Sequence, residues 1–249
     1  MFLSRDAVEL HTVCFGSGSR TLVAHGGWTG SWALWEQPFE LLSPSWRCIG
    51  FDHRGSGEST VDPDAITLDA MVADLMAVLD AHDVSRCVLA AESMGGIVAV
   101  HAAAREPDRF EALVLISAPL TITQGSAGRL ATGARIDYPA TVAAFVDACL
   151  PEDESGHLRA WGRVLLGRAD AECAARLLEA CYDLRPDLGA LTMPTAVIRG
   201  SRDVIVPAAD AAALVAGLPD ATFHLLDGIG HVPTVTAPAD VARIIDALP

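Results

Sequence analysis

The chain has 249 residues, of which 51% are hydrophobic, a length and composition that suit one α/β unit with a sizeable buried core. Its 17 basic residues, all of them arginine, are outnumbered by 32 acidic ones, and the net charge of −15 argues against nucleic acid or an anionic membrane surface as a partner. Because the chain has no lysine, a lysine Schiff base and a P-loop lysine are excluded.

We find no pattern of a secretory signal in the first ten residues and no stretch that indicates a membrane span. Residues 1–10 lack the charged and then apolar pattern of a secretory signal, and no run of about 18 uncharged apolar residues occurs. The six cysteines are scattered and form no CxxC pair, which favours reduced thiols. We therefore expect a cytoplasmic protein, a monomer or a homodimer, that acts on a small molecule and binds neither nucleic acid nor a membrane.

Short apolar, β-branched runs alternate with helical patterns in the first 119 residues. The runs predict strands at residues 7–15, 21–24, 47–51, 86–91 and 112–117. Apolar residues at helical spacing predict helices at residues 32–42, 68–81 and 94–105. This alternation is typical of the α/β class, with a mostly parallel central sheet flanked by helices.

The pattern changes between residues 120 and 189, where the chain reads as helical or irregular and shows no clear strand. Beyond this stretch the alternation returns, with strands predicted at 195–199 and 221–226 and helices at 208–216 and 238–248. We therefore predict an α/β core formed by residues 1–119 and 190–249, into which residues 120–189 are inserted as a helical cap subdomain.

The segment Ala91-Glu92-Ser93-Met94-Gly95 lies between a predicted strand and a predicted helix. A serine there occupies the tip of a tight turn that needs small residues two before and two after it, here Ala91 and Gly95. The usual pattern, Gly-x-Ser-x-Gly, has glycine where this chain has Ala91, which is still small. The turn would present the Ser93 hydroxyl above the sheet edge, which predicts a nucleophile; a plain helix N-cap is the alternative.

A serine nucleophile needs a base, and the base needs a carboxylate that orients it. Asp203 follows the strand predicted at 195–199, and His231 lies in a glycine-rich loop after the strand predicted at 221–226. Serine, acid and histidine thus come in the order expected for a serine in such a turn. We predict Ser93, Asp203 and His231 as a catalytic triad, against the alternatives of a solvated turn aspartate and a surface histidine.

Acyl transfer also needs two backbone N–H groups that face the negatively charged oxygen of the intermediate. One is expected from Met94, the residue after the serine, and the other from the turn His25-Gly26-Gly27-Trp28. We favour Gly27 over Trp28 as that donor because glycine lets the backbone approach a substrate closely. A plain glycine turn is the alternative, and Trp28 is predicted as a wall of the substrate pocket.

Together these motifs resemble the α/β-hydrolase family. The motifs that carry the resemblance span nearly the whole chain: His25-Gly26-Gly27, Asp52-His53-Arg54-Gly55-Ser56-Gly57-Glu58-Ser59, Ser93 in its turn, Gly200-Ser201-Arg202-Asp203 and Gly230-His231. The resemblance implies the α/β-hydrolase fold and makes residues 52–59 a structural loop near the site. It also implies a short cap like that of esterases, enol-lactonases and cofactor-free perhydrolases.

The resemblance and the triad predict a serine hydrolase that cleaves an ester, lactone or thioester of a small molecule through an acyl-enzyme on Ser93, without a cofactor. Three other reactions on the same triad stay open: C–C bond hydrolysis, perhydrolysis and lyase chemistry. A ligand receptor of the same fold without turnover is a further alternative. Dehalogenases and epoxide hydrolases of the family use an aspartate nucleophile, so Ser93 disfavours both.

Two other kinds of site are weaker. The eight histidines form no HExxH pair and no clear ligand cluster, so no metal is expected. Residues 120–189 carry arginines, one or two of which could bind an anionic substrate, but ion pairs with the acidic residues of this stretch on a solvated surface explain them amply and are favoured. These arginines are Arg129, Arg135, Arg159, Arg163, Arg168, Arg176 and Arg185.

Overall fold

The computed structural model describes residues 1–5, 8–179 and 182–249. The strands within these residues are β1 (Phe2–Arg5), β2 (Val8–Phe15), β3 (Arg20–His25), β4 (Trp46–Phe51), β5 (Cys87–Glu92), β6 (Phe110–Ile116), β7 (Thr121–Ile122), β8 (Tyr182–Asp183), β9 (Thr195–Gly200) and β10 (Ala221–Leu226). Eight of them form one sheet in the order β1-β2-β4-β3-β5-β6-β9-β10, and β7 and β8 form a separate pair.

Helices flank this sheet, as the alternating pattern predicts. They are α1 (Glu36–Leu42), α2 (Leu68–Ala81), α3 (Gly95–Arg105), α4 (Gln124–Ile136), α5 (Tyr138–Cys149), α6 (Gly156–Leu166), α7 (Ala171–Glu179), α8 (Arg185–Leu188), α9 (Ala208–Gly217), α10 (Pro233–Thr236) and α11 (Pro238–Asp246). Short 3₁₀ turns lie at Trp32–Trp35, Pro63–Ala65 and Pro107–Arg109. The predicted helix at 32–42 is therefore a 3₁₀ turn followed by α1.

The central strands are parallel, and the flanking helices cover both faces of the sheet at its centre. Pairing is parallel from β4 through β3, β5, β6 and β9 to β10, whereas β1 and β2 run antiparallel at one edge. Every residue of β5 and β9 is buried, which agrees with their mostly apolar sequences. The predicted mostly parallel α/β architecture is confirmed, and the carboxyl ends of these strands form the edge at which such sheets place their sites.

Helix α2 shows how the sequence specifies the layer outside the sheet. The Thr67 side chain accepts a hydrogen bond from the backbone N–H of Ala70, which caps the helix at its first turn. Met71, Leu75 and Val78 lie on its buried face, at the three- and four-residue spacing that predicted this helix. The prediction of a helix at 68–81 is therefore confirmed in type and bounds.

The loop from Asp52 to Ser59 is held in place by hydrogen bonds and an ion pair of its charged side chains. One Asp52 carboxylate oxygen accepts the backbone N–H of Trp32 at 2.9 Å, and the other accepts that of Glu58 at 2.9 Å. Arg54 is 3% exposed and forms a two-bond pair with Asp74 of α2, at 2.6 and 2.7 Å. The loop is thus a packed structural element beneath the site, as the family resemblance implies.

Two expectations about strands need correction. Residues 120–189 contain a strand pair after all, since β7 and β8 pair antiparallel with Thr121 opposite Asp183. A two-residue strand has no hydrophobic periodicity, so the sequence cannot reveal it. Strand β1, also absent from the predicted set, pairs with β2. The first residue of the predicted strand 7–15 and one of the six cysteines, Cys181, lie outside the described residues.

The other described elements between residues 120 and 189 are the helices α4 to α8. Helix α4 packs against α5 and α7, and α5 packs against α6. The assignment of residues 120–189 as a separate cap subdomain, inserted between residues 119 and 190, stays a proposal. Among the described residues, no helix combines the length and the apolar character that crossing a membrane requires.

The buried pair of Arg54 and Asp74 generates a stability prediction. Replacing Asp74→Asn leaves the buried guanidinium without its carboxylate and should lower the free energy of unfolding by about 3–5 kcal/mol. The matched control is Asp240→Asn, which breaks an exposed pair with Arg243 and should cost less than about 1 kcal/mol. Urea unfolding measures both, and equal effects of the two substitutions would contradict the structural role given to the buried pair.

Candidate active site

Ser93 sits in a strained turn between β5 and α3. Its φ is +53°, a left-handed conformation that residues with side chains seldom adopt and that costs about 1–3 kcal/mol. Its backbone N–H still donates to the carbonyl of Ile116 on β6, at 2.8 Å, so the turn begins while the chain is paired in the sheet. The side chain is therefore directed out at the carboxyl edge of the sheet, half-buried, as the motif predicts.

Small residues around this turn are required by its packing. A Cβ at Gly95 would lie 2.4 Å from the carbonyl oxygen of Gly26 and 2.6 Å from the ring of His25. Both distances are far inside van der Waals contact, so only glycine fits where α3 begins. Ala91, which stands in place of the usual glycine, is fully buried and is accommodated.

The structure brings Ser93, Asp203 and His231 together. His231 Nε2 lies 3.0 Å from the Ser93 hydroxyl oxygen, and its Nδ1 lies 3.0 Å from Asp203 Oδ2. Asp203 and His231 are buried, at 6% and 2% exposure. The imidazole is therefore held between a hydroxyl and a carboxylate at hydrogen-bonding distance, the arrangement in which a histidine can take a proton from a serine.

The carboxylate of Asp203 is fixed on every side. Its Oδ1 accepts the backbone N–H groups of Ile205 and Val206, at 2.8 and 3.1 Å. Arg199 donates to Oδ2 at 3.3 Å and to the Asp203 carbonyl at 2.8 Å. Burial alone would raise the pKa of Asp203, but the hydrogen bond and charge of His231 and the two N–H groups outweigh it and hold the pKa below its ordinary value.

Gly27 and Met94 lie where the two oxyanion donors are predicted. A Cβ at Gly27 would come within 3.0 Å of Ser93 Cβ and 3.6 Å of its hydroxyl oxygen. Among the described residues, neither the Gly27 N–H nor the Met94 N–H donates to a protein acceptor. Both groups are buried next to Ser93, so they are available to a negatively charged oxygen there.

Two buried histidines support the turn that carries Gly27. His25 and His53 stack at 5.0 Å between ring centroids, and His53 Nε2 lies 3.0 Å from the Gly27 carbonyl oxygen. Burial lowers the pKa of His25 to about 3, with the neighbouring His53 as a smaller cause. Burial also lowers the pKa of His53. Both rings are neutral supports beneath the loop, and His53 has a role that the motif alone does not reveal.

A cavity of about 60 Å³ opens over Ser93 and His231. Its remaining walls are almost entirely apolar: Gly27, Trp28, Gly30, Leu34, Glu92, Phe145, Val146, Cys149, Leu150, Trp161, Gly162, Leu166, Val232 and Val235. The indole of Trp28 is fixed by a hydrogen bond from Nε1 to the Ala174 carbonyl at 2.8 Å and by an edge contact with Phe145. The predicted pocket residue Trp28 therefore does line the space next to Ser93.

The arginines of residues 120–189 point elsewhere. Arg135 pairs with Glu172 and Glu179, and the described contacts join Arg163, Arg168, Arg176 and Arg185 to Asp147, Glu58, Asp64 and Asp183 respectively. Arg159 donates to the Leu150 carbonyl at 2.8 Å. No arginine is among the described residues that line the cavity over Ser93. These contacts favour the interpretation of ion pairs on a solvated surface.

Sequence reasoning missed Arg199, Glu92 and Thr234. Arg199 and Glu92 are charged residues within otherwise apolar strands, and a buried charge in such a run is a signal that a partner exists. Thr234, which contacts Glu92, carries no comparable signal. Within the described ranges, no three His, Cys, Asp or Glu side chains form a metal-binding group, and the expectation of no metal stays a prediction.

Comparisons with known proteins agree with this fold. The family model described as the alpha/beta hydrolase fold matches residues 20–165, more than half of the chain. A solved hydrolase from Pseudomonas aeruginosa superposes with a TM-score of 0.90 at 25% identity, covering 98% of this chain and 96% of that one. The match thus includes the strands and helices that carry the site.

Two curated relatives extend the comparison along nearly the whole sequence. A provisionally named carbamate hydrolase, RutD, of Variovorax paradoxus is 34% identical, covering 93% of this chain and 92% of its own. A pimeloyl-[acyl-carrier protein] methyl ester esterase of Xanthomonas campestris is 30% identical, covering 96% of this chain and 100% of its own.

The environment of Asp203 predicts a pH dependence of stability. Because its pKa is lowered in the folded protein, the carboxylate stabilises the fold above its unfolded pKa of about 3.9, and this stabilisation is lost as the pH falls through the lower folded value. Below about pH 4, the melting temperature should therefore fall more steeply for the unmodified protein than for Asp203→Asn. The exposed Asp227→Asn serves as control and should follow the unmodified protein. Parallel curves for all three proteins would contradict the argument.

Proposed function

The chain belongs to the α/β-hydrolase family, and on that premise we propose that it is a serine hydrolase that cleaves an ester, lactone or thioester of a small molecule through an acyl-enzyme on Ser93. The observation that carries the proposal is the unbroken chain of contacts from Ser93 through His231 to Asp203, each of 3.0 Å. Relatives named for ester and carbamate hydrolysis support a reaction at a carbonyl carbon.

The first step transfers the acyl group to the enzyme. His231 Nε2 takes the proton of the Ser93 hydroxyl as the oxygen attacks the substrate carbonyl, and Asp203 stabilises the imidazolium that forms. The carbonyl oxygen becomes an oxyanion that the Gly27 and Met94 N–H groups hold. When the intermediate collapses, the leaving alcohol or thiol takes the proton from His231, and Ser93 keeps the acyl group.

The second step returns the enzyme to its starting state. A water molecule enters, gives a proton to His231 and attacks the acyl carbonyl as hydroxide. The same two N–H groups stabilise the second oxyanion. Collapse releases the carboxylic acid, and Ser93 recovers its proton from His231. No step needs a metal or a cofactor, since the serine, the histidine and the backbone amides supply the nucleophile, the base and the charge stabilisation.

The walls of the cavity narrow the substrate class to an uncharged compound with an apolar group next to the reacting carbonyl. Trp28, Phe145, Leu150 and Trp161 surround this space, and their carbon surfaces cannot hydrogen-bond a charged substituent. A carboxylate brought into such a space loses its water without gaining a cation. We therefore assign the apolar cavity to a neutral acyl group rather than to one that carries an anion.

A covalent probe tests the serine mechanism. Treatment with a fluorophosphonate should give a single adduct on Ser93 in intact-mass and peptide mass spectrometry, because only an activated serine attacks phosphorus at neutral pH. Ser93→Ala should abolish both the adduct and ester turnover, and His231→Ala should slow labelling about a thousandfold or more. Ser93 left unmodified would overturn the proposal, whereas a labelled Ser93 with no ester turnover would favour another reaction on the triad or a ligand receptor.

The neutral cavity makes a separate prediction about charge. The rate constant kcat/KM for p-nitrophenyl butyrate should exceed that for the mono-p-nitrophenyl ester of succinate about a hundredfold, since the latter must bury a carboxylate without a partner. The methyl p-nitrophenyl diester of succinate is the control, because it carries the same chain without charge and should be cleaved nearly as well as the butyrate. Equal rates for the charged and neutral esters would contradict a neutral substrate while leaving the serine mechanism intact.

A further inference from the structure

Glu92 is an acidic side chain that the triad chemistry does not use. It is the last residue of β5, immediately before Ser93, and only 2% of it is exposed. Glu92 is among the residues that line the apolar cavity. Burying a carboxyl group there carries a desolvation cost, so a local interaction must compensate for it.

That interaction is with the loop that carries His231. Both carboxyl oxygens of Glu92 lie 3.0 Å from the hydroxyl oxygen of Thr234, which is fully buried. Thr234 lies in α10, three residues after His231. The contact therefore joins the turn of the serine directly to the loop of the histidine, over a separation of 142 residues in the sequence.

We propose that Glu92 is a positioning residue, which through Thr234 holds the His231 loop at the distance from Ser93 that proton transfer needs. This inference rests on the proposed serine hydrolase function. The histidine loop is also tied on its other side, where the His231 N–H donates to the Cys149 carbonyl at 2.9 Å. The contact between Glu92 and Thr234 fixes the position of this loop relative to the turn that carries Ser93.

The geometry of this contact fits a protonated Glu92. A single hydroxyl hydrogen would have to be shared between the two carboxylate oxygens in a three-centre bond, whereas an acid O–H that donates to Thr234, together with the Thr234 hydroxyl that donates back, gives each oxygen a hydrogen bond of its own. Burial, with a smaller contribution from the negative charge of Asp203, raises the pKa of Glu92 to about 8 against the hydrogen bonds of Thr234. At neutral pH the Glu92 side chain is therefore uncharged and supports Thr234 through hydrogen bonds.

The neutral state matters because of what faces Glu92. The ionisable groups around this space are Asp203 from the loop after β9, His231 from the loop after β10 and Cys149 at the end of α5. A neutral Glu92 leaves Asp203 as the negative charge that acts on His231. An ionised Glu92 would add a second negative charge beside the carbonyl oxygen that becomes an oxyanion at Ser93, and this would slow its formation.

The first experiment measures fluorophosphonate labelling of Ser93 and ester hydrolysis in four variants. Thr234→Val and Glu92→Leu should each lower the labelling rate and kcat about tenfold while KM changes less than about twofold, since the reacting geometry is lost and the apolar walls remain. Glu92→Gln, which keeps the shape and can still hydrogen-bond Thr234, should restore most of the lost rate. Thr236→Val, on the same helix with its hydroxyl bonded to the Val232 carbonyl, is the matched control.

The pH profile separates positioning from mere packing. In the unmodified protein kcat should fall above about pH 8 as Glu92 ionises, and Glu92→Gln should lack this fall. Wild-type rates in Thr234→Val and Glu92→Leu, both folded by circular dichroism, would overturn the inference. An alkaline fall that persists in Glu92→Gln would also overturn it.

A stability measurement tests the protonation state without using activity. Because the pKa of Glu92 is raised in the folded protein, stability is lost as the pH rises from the unfolded value of about 4.3 towards 8. The melting temperature of Glu92→Gln relative to the unmodified protein should therefore increase over that range, and a constant difference would refute a neutral Glu92. If the fluorophosphonate does not label Ser93 in the unmodified protein, the proposed function fails. The difference in melting temperature between Glu92→Gln and the unmodified protein still decides whether Glu92 is neutral.

Discussion

The turn at Ser93 is the constraint on which the rest of the site depends. A residue with a side chain is held at a φ of +53°, and the pairing of its N–H with β6 and the packing of Gly95 against Gly26 keep it there. The strain is small beside the burial of the surrounding core strands. Its result is a hydroxyl at the sheet edge with Gly27 immediately beside it, which no relaxed turn would present.

The parallel sheet explains how distant residues meet at that turn. The strands β5, β9 and β10 run in one direction, so the chain leaves each of them at the same edge, and the loops there bring Ser93, Asp203 and His231 within hydrogen-bonding distance. Helices α5 and α6 supply much of the apolar wall over this edge. The polar groups of the site are thus carried by the sheet loops and its carbon surfaces largely by α5 and α6.

The two buried carboxyl groups near Ser93 are stabilised in different ways. Asp203 is ionised and paired with His231 and Arg199, whereas Glu92 relies on Thr234 and is favoured in its neutral form. Two carboxyl groups close to each other rarely ionise together in a dry site, because each raises the free energy of the other's charge. Acidic side chains of the helices outside the cavity, such as Glu172 and Asp147, form exposed pairs with arginine.

The amino-acid sequence was enough to predict the α/β class, most element positions and the three candidate triad residues that the structure brings together, because strand and helix periods and the serine turn are local patterns. It could not reveal the two-residue pair of β7 and β8, which is too short for a period. Nor could it show that Glu92 meets Thr234 or that Arg199 holds Asp203. Those contacts, and the apolar cavity itself, depend on how the sheet loops pack against α5, α6 and α10 in space, so they could be seen only once the chain was folded.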